Sequence, residues 1–175
     1  MIHGPHRLSV EPASISYADY SREDGQPTWR PIEFLDFLVN GRPLRDLLDL
    51  PSDMARPRQE TTLLRDDWPR AALEHLDRLL LQTPSDFADG RVSLLVCQDC
   101  GDQGCGAITM ELLQDQESVS WTRFGWQTSA GDELLPQLFE DQTFAFSRTD
   151  YESALESLKE HYQKLITDPP VGYRS

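Results

Sequence analysis

Alternating apolar and polar residues predict an N-terminal pair of strands. The alternation at residues 8–10 and 15–17 indicates a first strand that is interrupted near Pro12. Residues 32–39 form an apolar and aromatic run that Asn40-Gly41 closes. This sequence pattern is typical of a strand that ends in a tight turn, so the chain is expected to reverse there.

The second half of the chain carries further strand patterns. Residues 91–96 have the composition of a buried strand, and residues 144–146 that of a short last strand. Residues 107–113 and 118–126 read as a hairpin joined by a short polar link. The aromatic residues of its second strand change parity, and a bulge near residues 122–123 would return them to one face.

Two segments have the period of an amphipathic helix. The first is expected to start with Asp66 or Asp67 as the N-cap and Pro69 in the first turn. The second is expected to start at Thr149, with Glu152 completing a capping box, and to end near residue 166. Their apolar stripes are Ala72, Leu73, Leu76, Leu79 and Leu80 in the first helix, and Tyr151, Ala154, Leu155, Leu158, Tyr162 and Leu165 in the second.

Together these elements predict an α+β fold. The chain of 175 residues is expected to be a single domain, with a mainly antiparallel sheet of about five strands packed against two main helices. A short helical turn is expected at residues 44–48, and an exposed loop at 51–65, where prolines and charges concentrate. Residues 1–6 and 168–175 are expected to be loose termini.

Composition excludes several classes of function. Sixteen Lys and Arg against 30 Asp and Glu give a net charge of −14 and a pI near 4.5. This balance argues against nucleic-acid binding by phosphate neutralisation and against a polybasic membrane-surface binder. The chain has no apolar run of the roughly 18–20 residues that a membrane-spanning helix needs. Its first residues lack the apolar core of a signal peptide, so a cytoplasmic location is expected.

The three cysteines lie within one short segment, at Cys97, Cys100 and Cys105. Glycines between and after them allow the backbone to fold back and bring the sulfurs together. Cys-x-x-Cys followed by Gly is the sequence motif of a zinc knuckle, and Cys105 would be the third ligand. The candidates for a fourth zinc ligand are His75, His161, Asp99, Asp102 and water, and the spacing selects none of them.

Two other interpretations of the cysteine segment stay open. A Cys-x-x-Cys pair can carry thiol-redox chemistry, but Asp99 and Asp102 flank the thiols and a strand follows instead of a helix. Both features raise thiol pKa values and disfavour a thioredoxin-like nucleophile. The simplest interpretation is structural: small residues pack a crowded turn between two strands.

The cysteine segment resembles that of a family of uncharacterised bacterial proteins, found in actinobacteria and other groups. The resemblance rests on Cys-x-x-Cys-Gly-Asp-x-Gly-Cys-Gly followed by a strand and Trp-x-x-Phe-Gly, and it runs from Val96 to Trp126. Weaker similarity covers residues 34–48 and 144–155, and Gln98 stands where the family pattern has proline. The resemblance implies a shared fold and no settled activity.

Acidic residues dominate the chain around and after the cysteines. Arg123 is the only basic residue among nine acidic ones: Asp99, Asp102, Glu111, Asp115, Glu117, Asp132, Glu133, Glu140 and Asp141. Such a surface attracts a cationic partner, and Trp121, Phe124 and Trp126 are candidate aromatic anchors if they are exposed. The alternative is that this charge serves solubility alone.

The expected function is therefore a non-catalytic one. The chain has no Gly-x-Ser-x-Gly, phosphate loop, dinucleotide fingerprint or His-Glu-x-x-His. We expect an acidic binding protein that engages a basic protein partner, in the manner of an immunity protein or antitoxin. The alternative is a small zinc-binding or thiol-redox protein that uses the three-cysteine turn.

Overall fold

The computed structural model describes residues 5–19, 22–48, 60–129, 135–139 and 141–172. In chain order these residues form β1 (Leu8–Asp19), β2 (Thr28–Val39), β3 (Arg42–Pro43), α1 (Leu44–Leu47), α2 (Pro69–Leu79), β4 (Val92–Leu95), a 3₁₀ turn (Gln103–Cys105), β5 (Ala107–Gln114), β6 (Ser118–Gln127), β7 (Gln137–Leu138), β8 (Thr143–Ser147) and α3 (Arg148–Thr167). No helix among them is long and apolar enough to cross a membrane.

The strands form two antiparallel sheets, which confirms the α+β single-domain fold. One sheet has three strands in the order β1-β2-β3. The other has five, in which β4, β5 and β6 are adjacent and both β7 and β8 pair with the far side of β6. Helices α2 and α3, the two predicted main helices, pack against each other. The sequence predicts one sheet of about five strands, whereas the N-terminal strands form a second sheet of their own.

Strand β1 is continuous, so the predicted interruption at Pro12 is wrong. Pro12 pairs with Leu35, whose N–H donates to the carbonyl of Leu64 at 2.9 Å, away from β1. The Pro12–Leu35 pair is therefore one that makes no ladder hydrogen bonds, and the ring nitrogen of Pro12 faces the outer edge. Pro31, opposite Ser16, has the same parity. Both prolines fit the hairpin because neither removes a bond between its strands.

The predicted turn at Asn40-Gly41 and the predicted bulge in the second hairpin are both confirmed. Asn40 and Gly41 have φ angles of 52° and 78°, the pair of positive values that a type I′ hairpin turn needs. In β6 the register shifts near Arg123, which has a φ of 50°. The Arg91 guanidinium donates to the Arg123 carbonyl at 2.6 Å and stabilises this bulge. Phe124 is consequently buried, as the bulge prediction required.

An aromatic cluster forms the centre of the core. The Trp121 ring makes edge contacts with Phe37 and Phe146, at centroid distances of 5.4 and 5.2 Å. Its indole N–H donates to the Tyr151 hydroxyl at 3.1 Å, and that hydroxyl donates to the Leu79 carbonyl at 3.0 Å. This chain of contacts ties β2, β6, β8 and both main helices to one core.

Two predicted exposed regions are bound to the sheets. Of the predicted loop 51–65, residues 51–59 lie outside the described residues, and residues 60–65 are buried. The backbones of Thr61 and Val96 exchange hydrogen bonds of 3.0 and 2.8 Å, and Thr62 donates to the Leu35 carbonyl. This segment therefore bridges the two sheets. His6, predicted to be loose, donates its N–H to the carbonyl of Ala145 at 2.7 Å.

Both predicted helix caps are wrong. Trp68 precedes α2 without a side-chain cap; Asp67 pairs with Arg65, and Asp66 lies 2.9 Å from His161. At α3 the N-cap is Ser147, because β8 runs directly into the helix. Thr149 therefore lies inside the first turn, and Glu152 pairs with Arg148 at 2.7 Å instead of closing a capping box.

Candidate metal centre

The three cysteines lie on a tight reversal of the chain between β4 and β5. Just after β4, the Cys97 carbonyl accepts from the N–H of Gly101 at 2.9 Å, and Gly101 has a φ of 66°. The carboxylate of Asp102 accepts from the N–H of Gly104 and caps the 3₁₀ turn that ends at Cys105. The sequence folds in this way because glycine and an N-terminal Asp supply the backbone angles and the cap that the turn requires.

The turn gathers the three sulfurs. All three Sγ atoms lie within 4.8 Å of one another, and those of Cys100 and Cys105 are 3.6 Å apart. Two thiolates of a tetrahedral zinc ion with Zn–S bonds of about 2.3 Å are about 3.8 Å apart. Cys97 is half-buried, whereas Cys100 and Cys105 are exposed. The donor set and its spacing therefore fit a metal ion that prefers sulfur.

The same proximity makes Cys105 a poor nucleophile. Hydrogen bonds with the Cys100 and Cys97 thiols, followed by the charges that these groups carry when ionised, raise the pKa of Cys105 to about 11. A reactive redox cysteine needs a lowered thiol pKa, which comes from a nearby cation or a helix N-terminus. The raised pKa therefore disfavours Cys105 as the redox nucleophile of the metal-free turn.

Contacts from several parts of the fold hold the turn in place. Arg65 donates to the Gln98 carbonyl at 2.7 Å, and the Gln103 side chain donates to Asp86 at 3.1 Å. Trp126 covers Gly106, where a Cβ atom would lie 2.2 Å from the indole ring. The position of the sulfurs is therefore set by the packed structure as well as by the local turn.

The candidate fourth ligands lie elsewhere, because only the three cysteines come together among the described residues. Asp99 accepts a hydrogen bond from Tyr17, which raises the pKa of the tyrosine, and Asp102 caps the turn. His75 is buried in α2, where burial lowers its pKa to about 3. His161 is hydrogen-bonded to the carboxylate of Asp66, which precedes α2. A metal ion at the sulfurs would therefore have a position open to solvent.

Four of the described acidic residues lie in two groups, one at each end of β5. Asp99 and Asp102 precede β5, whereas Asp115 and Glu117 lie in the link after it. The eight residues of β5 separate these two groups by roughly 25 Å, about three times the Debye length in physiological salt.

Basic groups lie beside several of the acids. Arg123 pairs with Glu111 at 3.1 Å, and Arg148 donates to the Asp115 carbonyl. Asp141 is exposed ahead of β8, while the remaining predicted acids, Asp132, Glu133 and Glu140, lie outside the described residues. The engagement of a basic partner therefore stays a prediction.

The three candidate aromatic anchors are buried or half-buried in the fold. Trp121 is 0% exposed and Phe124 is 1% exposed, so their assignment to a partner surface is wrong. Trp126 is half-buried over the turn at Gly106. Large aromatic residues in a strand pattern are more often core than surface, and the predicted bulge pointed that way.

Sequence reasoning missed the residues that fasten the turn from a distance. Arg65 contacts a residue 33 positions away, Asp86 one that is 17 positions away, and Tyr17 belongs to the other sheet. No local pattern marks such pairs, because their partners come together only through tertiary packing. Comparison of the chain with protein-family models, curated proteins and solved structures gave no match. The resemblance to the bacterial family therefore stays a prediction.

Proposed function

We propose that this protein binds one zinc ion through the thiolates of Cys97, Cys100 and Cys105. The observation that carries the proposal is the approach of three sulfurs to within 4.8 Å on a turn that Arg65 and Asp86 hold in place. Thiolates are soft ligands, which favour zinc over calcium or magnesium. A tetrahedral d¹⁰ ion also tolerates the small adjustment from the observed sulfur spacing.

The proposed ion presents one coordination position to the outside. Two of the three sulfurs belong to exposed residues, and the described protein residues supply no fourth donor. Structural zinc sites are closed by four protein ligands, whereas sites that bind an external ligand keep one position open. The arrangement therefore supports a zinc site that acts on, or is closed by, a molecule from solution.

Metal analysis of protein purified without chelator tests the proposal. We expect about one zinc per chain and three thiols that react with a thiol reagent only after a chelator removes the ion. Cys97→Ser and a Cys100→Ser/Cys105→Ser double variant should lose the stoichiometric zinc. Asp99→Asn is the matched control, because this carboxylate lies in the turn but outside the sulfur cluster. Three freely reactive thiols in zinc-supplemented protein would overturn the proposal.

The binding of a basic protein partner is a separate proposal with a separate test. It is supported by the net charge of −14 and by the exposure of Asp99 and Asp102 at the cysteine turn. A pull-down from native lysate at low and high salt should retain a basic protein only at low salt. Failure to retain one at low salt would remove this second function and leave the zinc proposal untouched.

A further inference from the structure

A cleft opens beside the cysteine turn, between the turn and helix α2. Its volume is about 390 Å³, within the range of pockets that bind small molecules. The apolar part of its lining is Leu63, Trp68 and Ala71. Glu74, Arg78 and Cys100 also line it, so one of the three metal-site sulfurs belongs to the wall of the cleft.

Packing holds the apolar wall of this cleft in place. The Arg65 guanidinium carbon lies 3.6 Å from the centroid of the Trp68 ring, over its face. Leu63 packs with Val96 and Ala107 in a small second core. Gly101 lies directly on this wall, since a Cβ atom there would be 3.0 Å from Leu63 and 3.2 Å from Trp68. The turn and the cleft therefore form one structure.

The charges in the cleft are already paired. Arg78 lies 3.2 Å from the carboxylate of Asp86 and 3.9 Å from that of Glu74. An ionised ligand would have to compete with these partners. The cleft consequently favours an uncharged, apolar body in contact with Trp68 and its neighbours.

The proposed metal site determines which donor atom a ligand in the cleft would need in order to coordinate the zinc ion. Zinc with three thiolates has a net single negative charge, which makes it a weak Lewis acid compared with zinc held by neutral imidazoles. Activation of water is therefore disfavoured at this ion. A soft sulfur donor matches the open position better than an oxygen donor.

We propose that the cleft binds a small organic thiol whose sulfur completes the coordination of the zinc ion. On binding, the S–H bond of the ligand breaks, a Zn–S bond forms and the proton passes to solvent, with no change in oxidation state. The carbon part of the thiol lies against Leu63, Trp68 and Ala71. This inference rests on the zinc site proposed above and names the class of its external ligand.

Cobalt(II) as a spectroscopic replacement for zinc tests the proposal. Addition of benzyl mercaptan should increase the sulfur-to-cobalt charge-transfer absorption by about a third, from three thiolates to four, and saturate at one thiol per ion. Apparent affinity should rise about tenfold per pH unit below the pKa of the thiol, because one proton is released. Benzyl alcohol, which has the same ring and no sulfur, should cause no change.

A variant that fills the cleft distinguishes the contribution of the cleft to thiol binding from that of the metal ion. Ala71→Phe places a ring in the cleft and should weaken benzyl mercaptan binding at least tenfold, with cobalt content unchanged. Ser157→Phe, at an exposed position of α3, is the matched control and should bind the thiol as the wild type does.

The outcomes distinguish the two proposals. Failure of cobalt and zinc to bind at all would overturn the zinc site itself. If the metal binds but benzyl mercaptan leaves the spectrum unchanged, strips the ion from the protein, or binds Ala71→Phe as tightly as Ser157→Phe, the thiol proposal alone is overturned.

Discussion

The molecule contains two long hairpins with contrasting surroundings. The β5–β6 hairpin has β4 on one side and β7 and β8 on the other. The β1–β2 hairpin is longer, but only two residues of β2 pair with β3, and the outer half of the hairpin is largely exposed. A tryptophan marks each hairpin: Trp121 in β6 is 0% exposed and Trp29 in β2 is 65% exposed.

This contrast shows that neighbouring elements, more than hairpin length, decide what a strand buries. The β5–β6 hairpin is covered by strands and helices, so its aromatic side chains form the core. The cysteine turn at the base of this hairpin is held against the same packed structure by Trp126 and Asp86.

The largest expected effect comes from truncating the two tryptophans. Trp121→Ala should lower the free energy of unfolding by about 3–5 kcal/mol, because it leaves a cavity and removes the partner of Tyr151. Trp29→Ala should change it by less than about 0.5 kcal/mol. Urea denaturation measures both, and similar losses in the two variants would contradict the comparison.

Two glycines with similar backbone angles test the close packing of the cysteine turn. Gly106 and Gly90 have φ angles of 91° and 86°, but only at Gly106 would a Cβ atom meet another group. Gly90→Ala should cost about 1–2 kcal/mol from backbone strain alone. Gly106→Ala should cost about 2–5 kcal/mol, since overlap with Trp126 adds to that strain. Equal losses in chemical denaturation would show that Trp126 moves aside freely.

Burial of His75 should make stability fall in acid. Its folded pKa is about 3, so below pH 6.5 the unfolded state takes up a proton that the folded state does not. Stability from this group is complete above pH 6.5 and declines by about 1.4 kcal/mol per pH unit as the pH falls towards 3. His75→Leu should therefore gain about 2 kcal/mol relative to wild type between pH 6.5 and 5. An unchanged difference between these pH values would contradict the buried, neutral imidazole.

Glu60, on the segment that bridges the sheets, should show the opposite slope. Burial raises its folded pKa to about 7, with Arg45 opposing the shift. The folded state keeps a proton that the unfolded state loses, so stability declines as the pH rises from 4.5 through 7. Glu60→Gln should gain about 1 kcal/mol on wild type between pH 5 and 6. A parallel pH profile of variant and wild type would show that this carboxyl is not buried in solution.

Local signals in the sequence predicted much of the fold. The Asn40-Gly41 turn, the bulge at Arg123 and the stripes of α2 and α3 each depend on residues a few positions apart. The strand through Pro12 and the burial of residues 60–65 depend on partners in another sheet. A linear pattern contains no information about which strand edge a proline faces.

The candidate site divides in the same way. The approach of the three sulfurs follows from spacing and glycine, and the sequence indicated it. The acidic surface was inferred from proximity in the chain, but an extended strand carries Asp102 and Asp115 to opposite ends of a hairpin. Arg65 and Asp86 became visible only in the folded chain.

Pro12 and Pro31 have a consequence for the protein at high concentration. Each outer edge, or rim, of a two-stranded hairpin is a template on which a second molecule can add a strand and begin a fibre. Each rim here lacks one amide proton at the point where an incoming backbone would dock. The two prolines therefore weaken both rims of the hairpin as docking sites for another copy of the chain.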